Sequence, residues 1–181
     1  MIKVYTGPMF SGKSSALLTD YNSIEDKENI VCFKPSKDTR DKTKIRARKI
    51  NTEVEAIVIN KFDQIKEHIT DNTKYIFIDE VQFITGDFNL LTRLSIEKDI
   101  TIVIAGLSKT NNQRPFGSMP YILAIADEIT ILKAKCECGN EAIYTYCKEK
   151  KDNDILIGSK QYKPLCRECL LKHKRGEVNE I

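Results

Sequence analysis

Apolar residues fall in short runs over the first two thirds of the chain, and the polar stretches between them carry apolar residues at helical spacing. Residues 75–78 and 100–105 are almost wholly apolar, as strands are when helices cover both faces of a sheet. Similar runs at 2–5, 29–33 and 54–58 predict three further strands. Residues 14–22, 61–69 and 89–96 have the periodicity of helices. Strands alternating with helices predict an α/β fold with a mostly parallel sheet. From about Lys135 the texture changes to short strands, turns and paired cysteines, which predicts a division into an α/β domain over residues 1–133 and a smaller unit over 134–181.

Directly after the first predicted strand comes Gly7-Pro8-Met9-Phe10-Ser11-Gly12-Lys13-Ser14, which fits Gly-x4-Gly-Lys-Ser/Thr without a gap. Strand, glycine-rich loop and helix are the setting this phosphate-binding motif requires. Backbone N–H groups and the positive helix end surround the phosphates in such a loop. Lys13 is expected to reach the β- and γ-phosphates, and the Ser14 hydroxyl to sit on Mg²⁺. The pattern therefore predicts a nucleoside triphosphate site.

Composition changes this picture little. Of the 181 residues, 41% are hydrophobic and 30% charged, as in an ordinary folded protein, and a net charge of +3 with no long basic run gives no sign of nucleic-acid binding. No apolar run approaches the roughly 18 residues of a membrane span, and the chain enters its first strand with no room for a signal peptide. A cytoplasmic protein is expected, and in that compartment the six cysteines call for an explanation other than disulfides. Cys32, alone in an apolar run, reads as a core residue.

Two further groups carry chemistry. The strand at 75–78 runs into Asp79-Glu80, which places two carboxylates at a C-terminal strand end, where open parallel sheets bind their ligands. Asp79 suits a Mg²⁺ ligand, direct or through water, and Glu80 a general base for an attacking hydroxyl or water. Cys166-Arg167-Glu168-Cys169 is a Cys-x2-Cys pair and Cys136-Glu137-Cys138 a tighter Cys-x-Cys. Together they predict a four-thiolate structural zinc site, with Cys147 as a substitute ligand and His173 as a weaker one.

These motifs, together with Lys37-Asp38-Thr39-Arg40, Phe77-Ile78-Asp79-Glu80-Val81-Gln82-Phe83, Gly106-Leu107, Pro115-Phe116-Gly117, Ile157-Gly158 and Tyr162, stand in the order seen in type II thymidine kinases. The whole chain resembles that zinc-containing family. The resemblance implies an ATP- and Mg²⁺-dependent enzyme of nucleotide salvage that phosphorylates the 5′-hydroxyl of thymidine, and of deoxyuridine as a second acceptor. It also implies a parallel-sheet domain and a small zinc domain whose lasso loop covers the nucleoside. By motif, Glu80 matches the catalytic base, Asp79 the metal-side carboxylate, and Asp38 with Arg40 the pair near the sugar and the reacting oxygens. Met9, Phe83, Leu107, Phe116, Thr145 and Tyr162 match the walls of the base pocket, and Gly158 the lasso backbone. A homotetramer inhibited by dTTP is implied in the same way.

The chain departs from the family pattern in places. Ser108 follows Gly106-Leu107 where Asp is usual, and Lys109-Thr110-Asn111-Asn112-Gln113 lacks the common aromatic. No Ser-His pair follows Asp38-Thr39-Arg40, and no acidic residue follows the lasso glycine. Two other readings compete: a non-catalytic nucleotide-binding regulator, and a nucleic-acid-associated P-loop ATPase with a zinc ribbon.

Overall fold

A computed structural model describes residues 1–39, 43–148 and 161–177. In chain order the strands are β1 (Ile2–Thr6), β2 (Ile30–Pro35), β3 (Lys44–Ala47), β4 (Thr52–Glu55), β5 (Ile57–Ile59), β6 (Tyr75–Ile78), β7 (Thr101–Gly106), β8 (Glu128–Ile131), β9 (Ala134–Lys135), β10 (Glu141–Ala142), β11 (Tyr144–Cys147) and β12 (Tyr162–Leu165). The α-helices are α1 (Lys13–Ser23), α2 (Asn89–Glu97), α3 (Met119–Ile125) and α4 (Arg167–Arg175).

Six strands form one sheet in the order β5-β2-β6-β7-β1-β8, and every pairing in it is parallel. Side chains alternate across a strand, and that alternation assigns the two faces of the sheet. Ile2, Val4, Phe33, Ile76, Ile78, Ile102 and Ile104 point to one side, where Leu90, Leu91 and Leu94 of α2 and Met119 and Ile122 of α3 cover them. Tyr5, Cys32, Phe77, Val103 and Ala105 point to the other, against Leu17 and Leu18 of α1. Phe77 is fully buried and meets Tyr21 edge-on at 5.6 Å between ring centroids. Burial pushes the Cys32 thiol up to about 12, so it stays a protonated core side chain, as its apolar surroundings in the sequence predict.

Two predicted elements take another form. The helix expected over 61–69 is a 3₁₀ helix, Phe62–Glu67. Its buried residues, Phe62 and Ile65, are three apart and align on one face of a three-residue turn. Gln64 Oε1 closes its start by accepting from the backbone N–H groups of Asn60 (2.8 Å) and Lys61 (3.0 Å). The strand expected over 54–58 is split at Ala56, whose N–H donates to the Thr43 carbonyl at 2.7 Å. Before the split, β4 pairs antiparallel with β3; after it, β5 joins the sheet beside β2. Helix α3 and strand β8 are additional elements; all four residues of β8, an edge strand, are exposed, so no burial pattern marks it.

The large sheet ends with β8, and the two-stranded ladders β9–β10 and β11–β12 follow with α4. Among the described residues, Cys136, Ala142, Leu165, Cys166, Cys169 and Leu170 form one buried cluster between them.

Candidate functional site

Strands β6, β7 and β1 are neighbours running the same way, so the segments that leave their C-terminal ends converge. The loop after β1 wraps the start of α1, with Gly7 at φ 147°, Phe10 at φ 65° and Gly12 at φ 90°. A Cβ on Gly7 would lie 2.2 Å from the Leu132 carbonyl oxygen, so only glycine lets the loop pass the end of β8. Lys13 is buried and donates to the Pro8 carbonyl at 2.8 Å, which folds its ammonium back over the loop. The Thr6 and Ser11 hydroxyl oxygens are buried with no hydrogen-bond partner among the described residues. Buried polar atoms at a glycine-rich helix start fit a phosphate group, which would supply the missing partners.

Asp79 and Glu80 leave β6 directly opposite. Ser14 Oγ donates to Asp79 Oδ2 at 2.9 Å, and the Glu80 N–H donates to Asp79 Oδ1 at 3.0 Å. A serine hydroxyl and a carboxylate in contact at a phosphate loop are the hard oxygen donors that suit Mg²⁺. Glu80 is only 9% exposed and has φ 50°, a left-handed conformation that costs a non-glycine residue energy. Its carboxylate is held by Gln82, whose Nε2 donates to Glu80 Oε2 at 2.6 Å while its Oε1 accepts from the Leu107 N–H at 3.0 Å. Gln82, 3% exposed, therefore ties the acidic strand end to the segment after β7. Sequence reasoning gave Gln82 no role, although a polar residue between Val81 and Phe83 after an apolar strand was a visible signal.

Replacing Gln82 by Met removes both hydrogen bonds at similar volume. We expect kcat to fall about tenfold to a hundredfold, as for loss of a bond to a charged group of ~1.5–3 kcal/mol, with ATP affinity unchanged. Equal losses in turnover and ATP affinity would show general damage instead.

On the far side of β6, Lys34 is fully buried, and its Nζ contacts Asp38 Oδ2 at 3.1 Å and donates to the Lys44 carbonyl at 3.0 Å. Asp38 thus sits at the same sheet end, after β2, beside a lysine the sequence reading did not single out. Arg40 and Gly158 lie outside the described residues.

The residues expected around a nucleoside come together in part. Phe83 and Phe116 meet edge-on at 5.3 Å, and the Met9 N–H donates to Thr145 Oγ1 at 2.9 Å, linking the phosphate loop to β11. Leu107 joins them through Gln82. Tyr162 opens β12 opposite Cys147. Gln113, in the segment that departs from the family pattern, donates to the Thr145 carbonyl at 3.1 Å. That segment is folded onto the cysteine-bearing unit and adds a contact no motif announced.

Cys136, Cys138, Cys166 and Cys169 bring their sulfurs within 4.8 Å of one another, and all are free thiols. Cys138 and Cys166 are 3.7 Å apart, near the ~3.8 Å edge of a tetrahedron with Zn–S bonds of about 2.3 Å and far beyond a disulfide bond. Two of the thiols, Cys138 and Cys169, shift in opposite directions. The Asn140 N–H and neighbouring thiols lower Cys138 to about 7, while burial and the same neighbours push Cys169 well up. A divalent cation stabilises the thiolates together, so the donor set fits zinc. Cys147 and His173 stand outside the cluster. His173 Nε2 instead meets Glu137 Oε1 at 2.7 Å, and its ring lies 4.9 Å from that of Tyr146. It braces the turn between the first two cysteines.

A parallel sheet with a phosphate loop after its first strand and an acidic strand end facing that loop defines the P-loop class of nucleotide-binding α/β proteins. The match with known sequences is narrower. The chain belongs to the thymidine kinase family, whose family model, described as Thymidine kinase, matches residues 1–170. It is similar to the thymidine kinases of Mycoplasma mobile, Pseudothermotoga lettingae and Onion yellows phytoplasma, each 35% identical to it. The alignments cover 100%, 94% and 98% of this chain and 90%, 95% and 91% of those proteins. The chain is thus a kinase, as the motifs predict, and none of its described helices is long and apolar enough to cross a membrane.

Proposed function

We propose that this kinase transfers the γ-phosphoryl group of ATP to the 5′-hydroxyl of thymidine, and that Glu80 takes the proton from that hydroxyl. The observation that carries the reading is the Glu80 carboxylate, held by Gln82 beside the Ser14–Asp79 pair at the mouth of the phosphate loop. Lys13 balances charge on the transferring group, and the loop N–H groups orient the phosphate chain. Ser14 and Asp79 would hold Mg²⁺, which supplies further charge neutralisation when bound. Asp38 and Arg40 serve the sugar side. Met9, Phe83, Leu107, Phe116, Thr145 and Tyr162 wall the base, for which flat apolar surfaces and few polar contacts suit a neutral pyrimidine. Gly158 contributes backbone near the sugar.

The division after Lys133 separates the catalytic sheet domain from a zinc-stabilised cover, with Cys136, Cys138, Cys166 and Cys169 as ligands. Kinship with the family supports a cytoplasmic homotetramer inhibited by dTTP. The direct test is transfer of labelled phosphate from ATP to each deoxynucleoside with Mg²⁺ present. Product from thymidine, alone or with deoxyuridine, is expected. Bound ATP with no product from any nucleoside would leave a nucleotide-binding regulator, and hydrolysis stimulated by DNA would favour the P-loop ATPase.

A further inference from the structure

The β3–β4 hairpin stands outside the six-stranded sheet and is docked on α1. Ile45 and Ala47, each 1% exposed, pack in one cluster with Leu17 and Leu18, and Asn22 Nδ2 donates to Thr52 Oγ1 at 3.3 Å. The hairpin tip is a 3₁₀ turn, Arg48–Ile50, closed by Asn51 in the left-handed conformation at φ 48°. Docking on the helix carries this tip to the N-terminal end of α1.

There Lys49 lies across the phosphate loop. From the point where a Cβ on Gly12 would sit, Lys49 Nζ is 3.3 Å away, Cδ 3.7 Å and Cε 3.9 Å. The bare glycine thus leaves room for the lysine stem and ammonium against the loop. Three cations nearby have acidic partners: Lys133 pairs with Glu141, and Lys44 and Arg46 with Glu53, whereas Lys135 has none among the described residues. Lys49 has none among the described residues. Together with Phe10, Lys133, Lys135 and Glu141 it lines a cavity of about 480 Å³, and Phe10 is 48% exposed. An exposed cation with no acidic partner, placed beside the positive end of α1, is matched by a polyphosphate chain. An exposed aromatic face beside it suits a nucleobase.

We propose that Lys49 is a donor-binding residue. Its ammonium contacts the phosphate chain of ATP outside the loop, and the cavity it shares with Phe10 receives the nucleoside end of the donor. This rests on residues 7–14 being the ATP site.

The test measures equilibrium binding of ATP and of inorganic tripolyphosphate, together with the KM for thymidine, in the wild type, Lys49→Ala and Lys49→Arg. Lys49→Ala is expected to weaken both polyphosphates about tenfold, the worth of one partly screened charge-assisted contact. The thymidine KM stays as in the wild type, and Lys49→Arg recovers most of the affinity. Wild-type affinity for both polyphosphates in Lys49→Ala overturns the inference. So does weakening of ATP without weakening of tripolyphosphate, which removes the phosphate contact. A parallel rise in thymidine KM also overturns it, because the hairpin then acts on the whole site. If instead the wild type binds no ATP, or Lys13→Ala binds it as tightly as the wild type, the ATP site itself falls and this inference with it.

Discussion

The Glu80→Gln enzyme is expected to bind ATP within about twofold of the wild type and to turn over about a thousandfold more slowly, the middle of the range for a positioned general base. The substitution is nearly isosteric. Gln82 Nε2 now donates to Glu80 Oε2 at 2.6 Å, and a glutamine carbonyl can accept the same bond. The phosphate loop, Lys13 and the Ser14–Asp79 pair are untouched. What is lost is the capacity to take a proton, so the loss should fall on kcat and leave donor affinity alone. Single-turnover transfer from ATP to thymidine, alongside equilibrium ATP binding, separates the two. Wild-type-like transfer in the mutant would remove Glu80 as the base. An equal loss of ATP affinity would mean that Glu80 holds the loop rather than acting on the acceptor.

Removal of zinc should have the other large effect. Among the described residues, the core cluster of the cysteine-bearing unit is Cys136, Ala142, Leu165, Cys166, Cys169 and Leu170, three of them thiols, which leaves Ala142, Leu165 and Leu170 as its apolar side chains. That is too little apolar burial to order two short ladders and a helix. A structural zinc site contributes an apparent ~10–16 kcal/mol, as much as the whole stability of many domains. Chelation should therefore unfold this unit before the sheet domain. Amide exchange in β11, β12 and α4 should accelerate by orders of magnitude while β1, β6 and β7 keep their protection. Thymidine phosphorylation should cease at the same time, because Thr145 leaves the Met9 N–H. A single cooperative melt that a strong chelator does not shift would exclude a structural metal.

The reach of the sequence differed from element to element. Residues 75–78 were legible to the residue because a strand buried on both faces leaves a continuous apolar run. The phosphate loop was legible because each of its glycines meets a backbone requirement that other residues meet only with strain. The segment around Phe62 was misread because apolar residues at 62, 65 and 69 satisfy both an α-helix and a 3₁₀ turn. Strand β8 was missed because an exposed edge strand carries no burial pattern. In the candidate site, Ser14, Asp79, Glu80 and the four cysteines were named in advance. Gln82, Lys34 and Gln113 were not, since a buried polar side chain shows its purpose only through its partners.

By itself the sequence determined the class of the protein, its phosphate loop, its acidic strand end and its cysteine set. Those features rest on local spacing, which a chain carries wherever it folds. Only the tertiary structure decided that Gln82 joins Glu80 to Leu107, that Cys136 rather than Cys147 completes the thiol cluster, and that Lys49 lies over Gly12. Each depends on residues distant in sequence being brought within a few ångströms, and parallel strand order and hairpin docking set those distances.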